Sequence, residues 1–433
     1  MTTQRPKVVY WNNQPSPYVV ARFNAVADRG TLDFEAWFDG IREPDRSWDV
    51  DASSWRFKAR ILQPSLVAGR RMLPLAELRE TRPDVFICNY DRRRHMLGAY
   101  ASMAVAGRTA IRALPSFVAW EFPSRGREAA KHLLFRAVDG AKVPGADGRA
   151  YAGRYGLPGV RSWAVTQAID VELYQRGLDV VHREQIRTRL SLGGCVFVYV
   201  GRIWTGKGLD ILMAAYRQVR AAHPDVRLLM VGEGVDQDRY RRETADLPDV
   251  VWHGFAQPEE TPALYSACDV MVFPTLGDPN GLVVEEAMTA GLPVITSDAA
   301  GDIRHRVQDG VVGRVVPVGD VDALAEAMSA LAEDPRRRAQ WGETASAMAD
   351  GFRLERYAED FEDFVRGIMA RPRRRTAAAV AARVGGRLLL RTRLADLPAS
   401  PLMSGRPPTP PKARPEAATP AGGPQRRGNA GAG

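Results

Sequence analysis

Short runs rich in β-branched residues alternate with longer stretches of helical apolar spacing along most of this sequence, and that alternation restricts it to βαβ units winding parallel sheets. The pattern occurs twice. In the first half, strands are expected at 7–11, 33–38, 84–88, 116–119 and 162–165. In the second they are expected at 195–200, 226–231, 250–252, 270–273, 293–296 and 313–316. An α/β chain with two Rossmann-like domains meeting near 168–190 follows, and ligands in such sheets bind just beyond the carboxyl ends of the strands. The expected organisation is a first domain over 1–178, a second over 179–351, a closing helix over 352–370 and a tail over 371–433. Apolar spacing supports helices through Leu324, Ala327, Met328 and Leu331, then through Tyr357, Phe361, Phe364 and Ile368.

Charge separates the body from the tail. The net charge is +9, yet 13 of the 60 basic residues and 2 of the 51 acidic ones lie from Arg371 onward, leaving 47 against 49 in 1–370. A nearly neutral body argues against nucleic acid as a partner. Beyond Arg371 the composition turns to Arg, Ala, Pro and Gly, which is expected to be disordered. Within it Arg383, Arg387 and Arg391 recur beside Val384, Leu388 and Leu389, a pattern that also suits peripheral contact with an anionic membrane. No stretch reaches the roughly 18 apolar residues of a membrane span, and no secretory leader is legible, so a cytoplasmic location is expected. Cys88, Cys195 and Cys268 are far apart and sit in or beside apolar runs, as small core residues do.

Two segments carry chemistry. The strand-like run 196–200 is followed by Gly201-Arg202 and then Lys207-Gly208 at the start of a helical segment. Glycines admit a close ligand, a helix start offers free amides, and the two cations supply positive charge, so the loop suits a diphosphate. Lysine occurs only six times in the chain, which makes Lys207 hard to dismiss as composition. After the run 269–273 come Asp278, Gly281-Leu282-Val283, Glu285 and Glu286. Asp278 falls on a loop and Glu286 about one turn into a helix, where both acids can meet the hydroxyls of a sugar nucleotide. Glu285 is expected on a solvated face.

The ordered set Gly201-Arg202, Lys207-Gly208, Val231-Gly232-Glu233-Gly234, His253-Gly254-Phe255, Phe273-Pro274, Gly281-Leu282 and Glu286-Ala287-Met288 resembles the nucleotide-binding domain of retaining glycosyltransferase family four. The likeness runs from about 196 to 330. It implies a GT-B fold, with two domains facing a central cleft, and a nucleoside-diphosphate sugar as donor. By that resemblance Arg202 and Lys207 hold the diphosphate and Glu286 the ribose. Gly281 and Leu282 present amides to the donor, with Val283 completing the segment, and Asp278 stands one methylene short of the family's first glutamate.

The first half departs further. The segment Asn12-Asn13-Gln14-Pro15-Ser16-Pro17-Tyr18 lacks the glycines of many relatives, and Trp120-Glu121 stands where they carry a histidine. Glu121 is the candidate for an acceptor or donor-sugar contact, alongside the reading of an ordinary loop acid. The resemblance implies transfer with retention to a glycan, lipid-linked or small-molecule acceptor hydroxyl. No metal or other cofactor is expected, because the acid pairs beginning at Asp49, Asp236 and Asp320 read as loop or helix-start acids away from the phosphate loop. A sugar-nucleotide-binding protein without catalysis, and an epimerase or phosphorylase on the same fold, remain alternatives.

Overall fold

A computed structural model describes residues 5–41, 48–62, 70–90, 92–114, 125–176, 180–279, 281–391 and 396–398. The strands are β1 Lys7–Asn12, β2 Asp33–Phe38, β3 Lys58–Ile61, β4 Arg70–Met72, β5 Val85–Cys88, β6 Arg108–Arg112, β7 Gly140–Val143 and β8 Ser162–Ala164 in the first half. The second half holds β9 Val196–Val200, β10 Arg227–Val231, β11 Val250–Gly254, β12 Val270–Phe273, β13 Val294–Ser297 and β14 Gly313–Val316, and β15 Asp396–Pro398 follows. Seven strands form one sheet in the order β3-β2-β1-β5-β6-β7-β8, and six form another in the order β11-β10-β9-β12-β13-β14. Both are parallel throughout. β4 pairs antiparallel with β15 outside them.

Each sheet is apolar on both faces because helices cover both, as a parallel sheet requires. Val9, Trp11, Phe86 and Ile111 face one layer of the first sheet, while Val8, Tyr10, Phe34 and Ile87 face the other. The order of connection reverses between β1 and β5, and again between β9 and β12. At those two points the loops diverge and leave a crevice.

β6 and β7 have no counterpart among the expected strands, and the expected strand at 116–119 lies outside the described residues. Charged residues hide both: Arg108 and Arg112 flank Thr109, Ala110 and Ile111 in β6, and Lys142 sits inside β7. Lys142 is nevertheless buried, 4.9 Å above the Tyr357 ring, and desolvation together with Arg112 and Arg22 holds its pKa well below the usual lysine range.

The chain crosses between the domains twice. Ile169 N donates to Phe352 O at 3.0 Å, tying the crossings side by side, and Arg22 donates to Ala168 O at 2.9 and 2.7 Å. After the second crossing, the helix Leu354–Ala370 lays Tyr357, Phe361, Phe364 and Ile368 into the first domain's core, where Phe361 stacks on Tyr10. Glu362 pairs there with Arg29 at 2.6 Å.

A disordered tail from 371 is overturned for its first part. Helix Ala377–Arg391 packs on the helices Arg93–Ser102 and Arg125–Ala137 and buries Ala379, Ala382 and Gly386. Arg374 N donates to Asp139 Oδ1 at 2.8 Å and Arg373 donates to Met103 O at 2.7 Å. Gly385-Gly386 reads as a break in sequence, yet a Cβ on Gly386 would stand 2.3 Å from Tyr100 O, so this glycine permits helix contact. Residues 399–433 lie outside the described set.

Candidate active site

The two segments singled out in sequence leave β9 and β12, the neighbours at the second sheet's reversal point. Chain topology therefore brings them together. Beyond Val200 the backbone passes Gly201 and Arg202, makes a short turn over Thr205–Lys207 and enters helix Leu209–Ala222. Gly208 joins turn to helix at φ 73°, with Pro274 O 1.9 Å from where a Cβ would be, so a side chain here would push the β9 and β12 loops apart. Thr205 donates to Asp236 Oδ2 through its amide at 2.8 Å and its hydroxyl at 2.9 Å. Asp236 was expected away from the phosphate loop; it is instead a strut of that loop. The Arg202 guanidinium lies 5.3 Å from the Trp204 ring centre.

Lys207 Nζ forms an ion pair with Asp278 Oδ2 and lies 5.6 Å from the Phe273 ring centre. The cation read as a phosphate ligand and the acid read as a sugar ligand are thus mutual counter-ions. Asp278 also shapes its own loop: Oδ1 accepts from Gly281 N at 2.8 Å, and its carbonyl accepts from Gly301 N at 2.8 Å. Gly281 and Leu282 then lead into helix Val283–Thr289. Asn280 lies outside the described residues.

Glu286 is fully buried. Tyr265 donates to its Oε2 at 3.0 Å, and the hydroxyls of Tyr174 and of Tyr18, from the first domain, stand close enough to favour its charged form. Desolvation outweighs these hydroxyls and lifts its pKa to about 7. Glu285 is not on a solvated face: it is 1% exposed and meets Arg306 Nη1 at 2.6 Å. Burial also raises its pKa, against the lowering by Arg306. No spacing rule separates the two neighbours, because this helix is covered on both sides.

Across the cleft, β1 and β5 end in Asn12 and, one residue on, Asn89, whose Nδ2 donates to Asn12 Oδ1 at 3.0 Å. Tyr18 starts the helix Pro17–Asp28 after the glycine-free segment, and it is through this side chain that the segment reaches Glu286. Nearby, a buried cluster went unnoticed in sequence. Asp39 accepts from Trp11 Nε1 at 2.8 Å, bonds to Arg94 and faces His95 Nε2 at 3.2 Å. Burial alone would raise the Asp39 pKa; His95 and Arg94 overcome it and hold it below the usual carboxylate range. The only sequence signal was an acid at the end of a strand, since its charged partners Arg94 and His95 come from a helix over fifty residues away. Trp120 and Glu121 lie outside the described residues.

Comparison with known proteins agrees with this geometry. Residues 194–334 match the family described as glycosyl transferases group 1. The D-inositol 3-phosphate glycosyltransferase of Kribbella flavida is 31% identical over 219 residues, 47% of this chain and 50% of that one. The phosphatidyl-myo-inositol mannosyltransferase of Mycolicibacterium smegmatis is 37% identical over 142 residues, 32% and 36% of the two chains. The chain thus aligns with half or less of the length of these curated relatives. Solved structures cover more: sucrose-phosphate synthase from Thermosynechococcus elongatus superposes with a TM-score of 0.67 at 21% identity, over 84% of this chain and 100% of that one. The Anabaena protein HepE, in complex with UDP and glucose, gives 0.69 at 17% identity over the same shares. Residues 194–334 are therefore similar to a glycosyl transferases group 1 domain, and the chain that carries them has the two-domain GT-B architecture.

Proposed function

We propose that this protein transfers a sugar from a nucleoside diphosphate to an acceptor hydroxyl with retention at the anomeric carbon. The observation that carries the reading is the Lys207–Asp278 ion pair beside the Gly281 amide, which joins the β9 and β12 loops at the sheet's reversal point. An incoming diphosphate competes with Asp278 for Lys207, and Asp278, released, turns to the sugar hydroxyls. As the anomeric bond breaks, negative charge grows on the diphosphate, where Lys207, Arg202 and the amides of Gly281 and Leu282 stabilise it. Positive charge supplied by side chains and amides makes transfer independent of a metal at the phosphates. An acceptor hydroxyl bonded to a phosphate oxygen on the same face needs no separate protein base. Glu286 holds the ribose hydroxyls. UDP and UDP-glucose are bound in crystal structures of HepE, and the Kribbella and Mycolicibacterium relatives are named for inositol-containing compounds, so both classes head the substrate panel.

The acceptor is assigned to cell-surface polysaccharide, glycolipid or related glycoconjugate synthesis on the cytoplasmic side of a membrane. No helix among the described residues is long and apolar enough to cross one. Helix Ala377–Arg391 exposes Val380, Val384 and Leu388 beside Arg387 and Arg391, and Leu133 is exposed on the helix beneath it. That apolar stripe with its cations suits peripheral contact with anionic lipid. Val384→Ser with Leu388→Ser should weaken co-sedimentation with anionic vesicles and leave turnover of a soluble acceptor unchanged.

Turnover on a panel of UDP-, GDP- and ADP-sugars, with and without chelator, tests the whole reading. Consumption of a sugar nucleotide only with acceptor, and equally in chelator, supports it. Isomerisation of the sugar nucleotide alone identifies an epimerase, and tight binding without turnover a binding module. No stabilisation by any nucleotide removes the site assignment.

A further inference from the structure

Below the donor loops lies a cavity of about 140 Å³, which the β12 loop reaches only through Pro279. Gly145 and Gln167 reach it from the first-domain side, and Glu285, Asp302, His305 and Arg306 from the second. Asp302 and Asp147 grip each other across the domains: Asp147 N donates to Asp302 Oδ1 at 2.9 Å, and Asp302 N to Asp147 Oδ2 at 3.1 Å. Each carboxylate so commits one oxygen to an amide. The other Asp302 oxygen is buried without a hydrogen-bond partner, in a residue only 6% exposed. Glu285 Oε2, on the same cavity, is likewise buried and unpartnered. Leaving such oxygens unmatched costs on the order of 1–3 kcal/mol each, so these two carboxylate oxygens on the cavity wall call for a positive or protic occupant.

The composition of the site says which. Three carboxylates, Asp147, Asp302 and Glu285, stand with one guanidinium, Arg306, which Glu285 already engages at 2.6 Å. Asp147, Asp302 and His305 each offer a ligand atom, and these atoms lie within 4.8 Å of one another, a spread that small side-chain shifts close onto one ion. An imidazole beside two carboxylates favours manganese or zinc over the all-oxygen preference of magnesium and calcium. Water in the cavity completes the coordination.

We propose that Asp147, Asp302 and His305 bind a divalent transition-metal cation, Mn²⁺ or Zn²⁺, that fastens the two domains together at the cleft floor. The cation acts on the spacing of the domains and not on the sugar nucleotide, whose phosphates belong to Arg202 and Lys207. Because its ligands come from both domains, it binds the closed arrangement better and shifts the population toward it. This assignment does not depend on which reaction the cleft performs.

Calorimetric titration of the chelator-treated full chain with MnCl₂ and with ZnCl₂ tests it, with MgCl₂ as the control. One saturable site is expected for Mn²⁺ or Zn²⁺, with a raised melting temperature, and Mg²⁺ should bind at least tenfold more weakly. His305→Ala and Asp147→Asn, both at side chains with solvent access, should each weaken binding at least tenfold while far-UV circular dichroism stays unchanged. Asp302→Asn keeps an oxygen for the Asp147 amide and should abolish saturable binding. Absence of saturation below roughly 1 mM of either ion, or equal affinity in wild type, His305→Ala and Asp147→Asn, overturns the proposal.

Discussion

The rims of the two sheets are built on one plan and furnished in opposite ways. In each, the order of strands reverses at a central pair, β1 with β5 and β9 with β12, and the loops leaving that pair face the cleft. At β9 and β12 the loops are glycine-bearing, and their charges, Lys207 and Asp278, pair with each other where a ligand can separate them. At β1 and β5 the rim presents amides and a phenol, Asn12, Asn89 and Tyr18, while the charges Asp39 and Arg94 are drawn inward and locked to Trp11 and His95. The same topology thus yields a rim whose charges pair with each other at the mouth of the cleft and a rim whose charges are sealed inside. Exchangeable pairs suit binding of an anion; sealed ones suit holding a wall in place.

Substitutions on the two rims should separate these roles. Lys207→Ala is expected to lower transfer by about 10²–10³, the usual loss for one preorganised contact to a developing anion, with little change in the far-UV spectrum. Near-normal turnover in this variant would break the comparison at its stronger side. Asp39→Asn should do the reverse, lowering unfolding free energy in urea by roughly 1.5–3 kcal/mol through lost charged hydrogen bonds, with nucleotide affinity unaltered. Loss of nucleotide binding without loss of stability would show that the Asp39 cluster belongs to the site.

The buried Glu286 sharpens the contrast through pH. If Glu286 holds the ribose as proposed, its pKa of about 7 means that the ribose hydroxyls would meet mostly carboxylic acid at pH 6 and mostly carboxylate at pH 8. Nucleotide affinity should rise about tenfold over that interval, and Glu286→Gln should flatten the profile. Stability should move the other way. A raised folded-state pKa favours the fold at low pH, and that advantage is lost as pH rises from the unfolded value near 4.5 through about 7. Thermal melts at pH 5 and 8 check the sign. The smallest effect is expected of Tyr18→Phe, which removes the first-domain hydroxyl close to Glu286. If ribose must displace that hydroxyl, affinity for the nucleotide should improve by about 1 kcal/mol, roughly fivefold. Weaker nucleotide binding would instead make Tyr18 part of the nucleotide site.

Legibility from sequence followed the same divide. The second domain's central strands, β9 and β12, are uninterrupted apolar runs, and the candidate ligand residues Arg202, Lys207, Gly281 and Glu286 lie within the two short segments that follow them. What failed were properties that depend on distant partners. Glu285 is buried because Arg306 and a cavity wall meet it, and Asp236 reaches back 31 residues to Thr205. Helix Ala377–Arg391 was misread because half of its apolar residues are alanines and its Gly386 fits against another backbone, and both features look like weak structure until the neighbouring helices are known.

The return of helices Leu354–Ala370 and Ala377–Arg391 to the first domain makes that domain discontinuous in sequence. On a ribosome, which releases the chain from its amino end, the segments that fill the first core through Phe361, Phe364 and Ala382 emerge after the whole of the second domain. The second domain is therefore the first able to complete its core during synthesis, although it stands later in the sequence, and the first domain waits, with its apolar sheet face bare, for the last helices to leave the exit tunnel.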